Sequence, residues 1–275
     1  MSIEVELANK GGQVCKHAKA ANGIKCPLIV RPTSEDVITG SVFGLLKHIR
    51  PHLWVGPLLN LGLGTARFRQ VWYKDFQIHF WKKVEPFPPE LLDFKEGRTE
   101  VDVQLSFENP PTTVWIEAKY LSPLAKGTAN SDTDQALRGI RTLLAATGHI
   151  TTPKLFPRPK RNAIWLALLV AKPEPIVDQY RDQPHLMTAI GRPEAITSFP
   201  PTPFVGTITW DDVRAVLKTS QSTMIPIERS ISLSVDTYLD LKMKQAAVER
   251  SGRLMSIGPP PPEQSLPLRI GHMPV

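Results

Sequence analysis

Asp102, Glu117 and Lys119 fall within one short stretch of sequence, and their types and spacing could do chemistry. Along Glu100-Val101-Asp102-Val103-Gln104-Leu105-Ser106-Phe107, apolar and polar residues alternate. In a strand, Val101, Val103, Leu105 and Phe107 would face one way and Glu100, Asp102, Gln104 and Ser106 the other. Val114-Trp115-Ile116-Glu117-Ala118-Lys119-Tyr120 repeats the pattern, with Trp115, Glu117 and Lys119 opposite Val114, Ile116, Ala118 and Tyr120. Asn109-Pro110-Pro111 between them can only turn. If the hairpin is centred near Pro110, paired residue numbers sum to about 220, which puts Asp102 across from the region of Glu117 and Lys119. A one-residue slip or a bulge would break this convergence.

Two carboxylates held a few ångströms apart repel unless a cation sits between them. Hard oxygen donors with few protein contacts suit Mg²⁺, with Mn²⁺ as a substitute, because the ion keeps waters for a reacting phosphate. A metal there would activate water and stabilise charge on a phosphoryl oxygen. A lysine two residues on would orient the attacking water. The set fits metal-assisted phosphodiester hydrolysis. It fits an ordinary solvated sheet face with ion pairs as well, so the surrounding elements have to decide.

The first of those elements is a helix that starts near Thr33 and Ser34, where Thr33 and Asp36 have the spacing of a capping box. Ile38, Val42, Leu45 and Ile49 form one apolar stripe at helical period, and Pro51 ends the helix. Glu35 lies three residues before Ile38, on the same inward face. A first-turn acid complements the helix dipole, but that does not explain its inward phase; from there Glu35 could reach the hairpin's polar patch. The stretch Gly56 to Gly64 lacks the rest of a dinucleotide fingerprint and is expected to be a loop. Strands are expected over Phe76–Val84, Glu100–Glu108 and Thr113–Leu121, then a helix over Asp132–Thr147 entered by Ser131 with Asp134 and ended by Gly148. Its stripe is Leu137, Ile140, Leu143 and Leu144. Ala163–Ala171 and Phe204–Thr209 are two further strands, and Thr209 caps a helix with Trp210, Val213, Val216 and Leu217 inward. A last helix spans Asp236–Arg250. The order α-β-β-β-α-β-β-α indicates an α/β or α+β domain, with a mixed central sheet flanked by helices.

Composition is compatible with this reading. The 275 residues, 41% hydrophobic, suit one substantial globular domain. A net charge of +7 and a pI near 9.4 favour a polyanionic partner over acidic small molecules. The run Ala163–Ala171 is too short to cross a bilayer, and MSIEVELANK lacks the apolar core of a secretory signal, so a cytoplasmic protein without membrane association is expected. Cys15 and Cys26 with His17 lack a fourth nearby ligand for structural zinc and read as two ordinary thiols.

Four segments together resemble the PD-(D/E)xK (restriction-endonuclease-like) nuclease superfamily: Ser34-Glu35-Asp36-Val37-Ile38-Thr39, Val101-Asp102-Val103, Ile116-Glu117-Ala118-Lys119-Tyr120 and Asp134-Gln135-Ala136-Leu137-Arg138. The likeness covers roughly Thr33 to Thr209. It implies a restriction-endonuclease-like core and a Mg²⁺-dependent nuclease. It also implies that Asp102, Glu117 and the Ala118 backbone carbonyl ligate the metal, with Glu35 as a further ligand. Lys119 would assist the nucleophilic water, and Gln135 would contact the site or the substrate backbone. Val101 stands where the proline that names the motif would be, a residue whose role is backbone shape.

Arg138, Arg141, Lys154, Arg158, Lys160 and Arg161 form a basic set on the second helix and the loop after it, readable as a phosphate-binding rim or as a solvated basic loop. Trp54, Trp72 and Trp81 could stack on bases but read better as core. Residues 1–30 are expected to be an extension packed on the core, 31–252 the nuclease-like domain, and 253–275, with prolines at 259 to 262, an extended tail. Nucleic acid is the expected partner, with DNA preferred over RNA from the family alone, and a homodimer or larger complex is compatible. The alternative is a catalytically silent nucleic-acid-binding module of the same fold, or one acting only within a complex.

Overall fold

The computed structural model describes residues 17–19, 25–27, 35–68, 73–85, 87–93, 96–125, 134–152, 158–171 and 175–250. His17–Lys19 (β1) and Lys25–Pro27 (β2) form a short antiparallel pair. Then come α1 (Glu35–Leu46), α2 (Val55–Leu63), β3 (Gln77–Val84), β4 (Thr99–Glu108), β5 (Pro111–Ala118) and α3 (Gln135–Ala146). They are followed by β6 (Asn162–Leu169), the four-residue α4 (Pro175–Asp178), α5 (Gln183–Ile190), β7 (Val205–Thr209), α6 (Trp210–Ser220) and α7 (Pro226–Arg250). The expected Pro-rich tail, Cys15, Trp72, Lys154 and the Thr33, Ser34 and Ser131 ends of two helices lie outside the described residues.

Strands β3 to β7 make one mixed sheet in sequence order: β3, β4 and β5 are antiparallel, while β5, β6 and β7 are parallel. All of β6 after Asn162 is buried, as expected of a parallel strand covered on both faces. One face carries Val103, Leu105, Val114, Ile116, Ile164 and Leu166 against Ile38, Val42 and Phe43 of α1 and the inward residues of α2, α6 and α7. The other carries Trp115, Trp165, Ala167 and Leu169 against Leu137, Ile140 and Leu144 of α3 and Leu186 of α5. The sheet face bearing Gln104 and Trp115 is thus a second core, not an open solvated face; both residues are buried.

Several boundaries follow local chemistry. Thr209 accepts from the Asp212 N–H while Asp212 accepts from the Thr209 N–H, a complete capping box that starts α6 as expected. Asp134, through its side chain and the Leu137 N–H at 2.8 Å, caps α3. Pro111 belongs to β5, paired with Glu108, so the turn is Asn109-Pro110.

The stretch expected to be a loop, Gly56 to Gly64, is instead largely helix α2. Its Gly62 serves packing: a Cβ there would stand 2.6 Å from Ile208 Cγ2, and one on Gly206 would stand 2.1 Å from the Gly62 carbonyl oxygen. Helix and strand approach so closely because both lack side chains at the contact. Gly64, at φ 65°, closes the helix in the left-handed conformation. The last helix is also longer than expected, beginning at Pro226.

Candidate active site

The hairpin register is Val103↔Ile116 through Glu108↔Pro111, a constant sum within one of the sequence estimate. Extrapolated one rung, Asp102 stands opposite Glu117. The ladder does not make that rung. Beyond Val103, β4 leaves β5 and stays only with β3, whose pairs Phe80↔Val103 and Lys82↔Val101 skip Trp81 and Asp102. Trp81 adopts φ 46°, a left-handed conformation unfavourable for a bulky side chain. This twist exchanges the faces of both strands. Phe80 and Trp81 both enter the first core, and Val101 enters the second core while Val103 stays in the first. The expected shared face of Val101 and Val103 is therefore corrected. At the crossover Asp102 points along the sheet, and its Oδ2 accepts the Ala118 N–H at 2.9 Å, a side chain standing in for the missing rung.

Four further side chains meet at this fork. Lys119 Nζ stands 2.9 Å from Glu117 Oε1 and 3.9 Å from Glu35 Oε2. Gln135 donates its Nε2–H to the same Glu117 oxygen. The amide of Gln135 is itself fixed, because its Oε1 accepts the Ala125 N–H at 3.1 Å and its own N–H reaches the Ala125 carbonyl at 2.9 Å. Glu35 arrives from the other face of the sheet at the start of α1; it accepts from the Tyr120 N–H at 3.1 Å and the Ser122 hydroxyl at 2.7 Å. The Lys119 backbone is held by the Leu168 carbonyl at 2.7 Å and by the Trp210 indole N–H at 3.1 Å. All five expected side chains thus converge.

Three carboxylates face one ammonium. Burial pushes the Glu117 carboxyl above its ordinary range, against the pull of Lys119; the nearby Glu35 charge adds to the rise. Burial alone would lower Lys119, but the charges of Glu117, Glu35 and Asp102 outweigh it and hold the amine above its usual value. That direction favours Lys119 as a cation and hydrogen-bond donor. An added dication would favour the ionised form of Glu117, and the donors are hard oxygens, so the chemistry of the set fits Mg²⁺. As the side chains stand, no three His, Cys, Asp or Glu residues among those described are grouped closely enough to hold one ion. Lys119 bridges Glu35 and Glu117 instead.

The expected basic rim is only partly presented. Arg141 is buried, paired with Glu96 at 2.5 Å and set over the Phe87 ring, so its guanidinium is turned inward. Arg138 bonds the carbonyls of Gly97 and Arg98, strapping that segment to α3. Arg161 binds Glu108 at 2.7 Å and the Phe107 and Thr112 carbonyls, clamping the hairpin turn. Arg158 and Lys160 are exposed. Trp54 and Trp81 are core residues.

Sequence reading missed Tyr120 and Ala125, whose backbone N–H groups fix Glu35 and Gln135 and leave no trace in residue type, and Ser122, whose hydroxyl donates to Glu35. It also missed Tyr180, whose hydroxyl donates to Asp134 Oδ2 beneath the start of α3. Comparison with protein-family models, curated proteins and solved structures finds no match to this chain.

Proposed function

We propose that the protein is a metal-dependent nuclease with a restriction-endonuclease-like core, hydrolysing phosphodiester bonds of nucleic acid, DNA before RNA. The observation that carries this reading is the meeting of Asp102, Glu117 and Lys119 at a forked hairpin, with Glu35 and Gln135 brought in by two helix N-termini from opposite faces. An ordinary solvated face would not receive an inward-phased Glu from a helix on the far side of the sheet.

Asp102, Glu117 and the Ala118 carbonyl would hold Mg²⁺, with Glu35 as a further ligand. When bound, the ion supplies Lewis acidity toward a phosphoryl oxygen and makes a coordinated water more acidic. Lys119, protonated, donates to the attacking water and opposes charge on the phosphate. The water oxygen bonds to phosphorus as the ester P–O bond breaks; the water's proton passes to a carboxylate or solvent, and the leaving oxygen takes one up. Gln135 keeps Glu117 oriented throughout.

The second reading is a nucleic-acid-binding module without activity of its own. It is favoured by one detail: both Lys119 and Gln135 address Glu117 Oε1, an arrangement already closed by protein donors. One experiment separates the two: supercoiled plasmid and labelled single-stranded DNA and RNA incubated with Mg²⁺, Mn²⁺ or EDTA, wild type beside Asp102→Ala and Lys119→Ala. Metal-dependent cutting lost in both variants supports the nuclease. Identical behaviour of all three proteins on every substrate overturns it.

A further inference from the structure

A groove of about 420 Å³ lies on the second-core face of the sheet, between edge strand β3 and the C-terminal half of α3. Gln104 and Trp115 are on its floor, Thr142 and Thr147 on the helical wall, and Lys82 with Arg158 on the rim. Its two carboxylates are already matched: Glu85 pairs with Arg98 at 3.3 Å and Glu108 with Arg161 at 2.7 Å. Among the described residues no carboxylate pairs with Lys82 or Arg158, and Arg158 bonds the Ala146 carbonyl at 3.5 Å. The cleft therefore carries surplus positive charge between low-dielectric walls, which concentrates the field inside it.

The floor adds a directional preference. An indole N–H only donates, so Trp115 Nε1 fixes Gln104 with its oxygen toward the ring at 3.1 Å. The amide NH₂ of Gln104 is then the group offered to the groove. Cations on the rim and a donor on the floor suit a ligand rich in acceptors, as phosphates and base edges are. Its size suits a nucleotide or two of a single strand better than the width of a duplex. The Gln104–Trp115 pair is two rungs from the level of Asp102 and Glu117, about 7 Å along the strands.

We propose that this groove binds a single strand of nucleic acid, with Lys82 and Arg158 on its phosphates and Gln104 donating to a base or phosphate oxygen. The identity of the ligand rests on the nuclease reading; the groove's charge and donor pattern do not. The test is fluorescence anisotropy of the full-length chain with a labelled single-stranded oligonucleotide and a duplex of equal length, in EDTA, over a salt series. Wild type is expected to prefer the single strand. The double variant Lys82→Ala/Arg158→Ala, at unchanged melting temperature, is expected to bind roughly 25-fold more weakly at 0.1 M salt, with the log–log salt slope reduced by about 1.4. Wild-type affinity in that variant, a preference for duplex, or no binding by wild type overturns the groove. Metal-dependent cleavage with an unaffected double variant removes the groove and leaves the nuclease. Loss of binding in the double variant without cleavage by wild type does the reverse.

Discussion

The start of α3 rests on a buried pair, and its strength can be predicted. Asp134 is 8% exposed and Tyr180 5%. One carboxylate oxygen caps the helix through the Leu137 N–H at 2.8 Å, and the other accepts from the Tyr180 hydroxyl. An N-cap is worth about 1 kcal/mol, and a buried hydrogen bond to a charged group about 2 kcal/mol. Asp134→Ala removes both and should lose about 3 kcal/mol; Tyr180→Phe removes the second and should lose about 2. Once either partner is gone the bond cannot be lost again, so the double variant should also lose about 3, a coupling of about 2 kcal/mol. Urea denaturation of the four proteins at one pH gives the cycle directly. Because Gln135 is the next residue and holds Glu117, the Asp134 variants should also weaken whatever activity the cluster supports, more than Tyr180→Phe does. Additive single losses in the cycle would refute the account, because the pair would then be contact without interaction.

Three further outcomes are expected. Glu117 has a folded-state pKa raised by burial, so its contribution to stability is fully present below the ordinary carboxylate range and is lost as pH rises through the folded value. Glu117→Gln should therefore be more stable than wild type at pH 8, with the gap closing toward pH 4; a variant less stable at pH 8 with an unchanged pH profile would contradict this. Glu228 behaves oppositely. Burial would raise its pKa, but the Arg50 guanidinium, with bonds of 2.9 to 3.1 Å, holds it below the usual range. Arg50→Ala should thus destabilise the protein to urea near neutrality, and by less as pH falls through the folded pKa of Glu228. Gly206→Ala would press a methyl group to 2.1 Å from the Gly62 carbonyl oxygen, a backbone atom that cannot rotate away, and should lose about 3 kcal/mol in a thermal melt. A melting temperature equal to wild type would mean that α2 and β7 separate easily.

The parts legible in the sequence were those governed by local period and local turn chemistry. Alternation in β4 and β5 and the prolines after Asn109 gave the register to within one residue, and the inward phase of Glu35 placed it at the cluster. Composition misled where tertiary packing overrode it. Glycines that suggested a loop between 56 and 64 are the close-packing surface of α2. The basic residues Arg138, Arg141 and Arg161 look like a rim in sequence, yet each has a protein partner that is remote along the chain: Glu96 and the Gly97 and Arg98 carbonyls, or Glu108. The face exchange at Trp81 and Asp102 was illegible for a different reason. It arises from one residue's left-handed conformation, which strict alternation cannot express.

The cluster is drawn from both sides of the sheet: Glu35 comes with α1, packed on one core, and Gln135 with α3, packed on the other. Neither layer alone can finish it. A nascent chain that has docked only α1 holds its carboxylates without the glutamine that fixes Glu117, and one that loosens α1 leaves Lys119 without Glu35. The reaction proposed for the cluster would thus be conditional on both layers at once, like a lock needing two keys. Partly built or partly unravelled copies would lack at least one of its members.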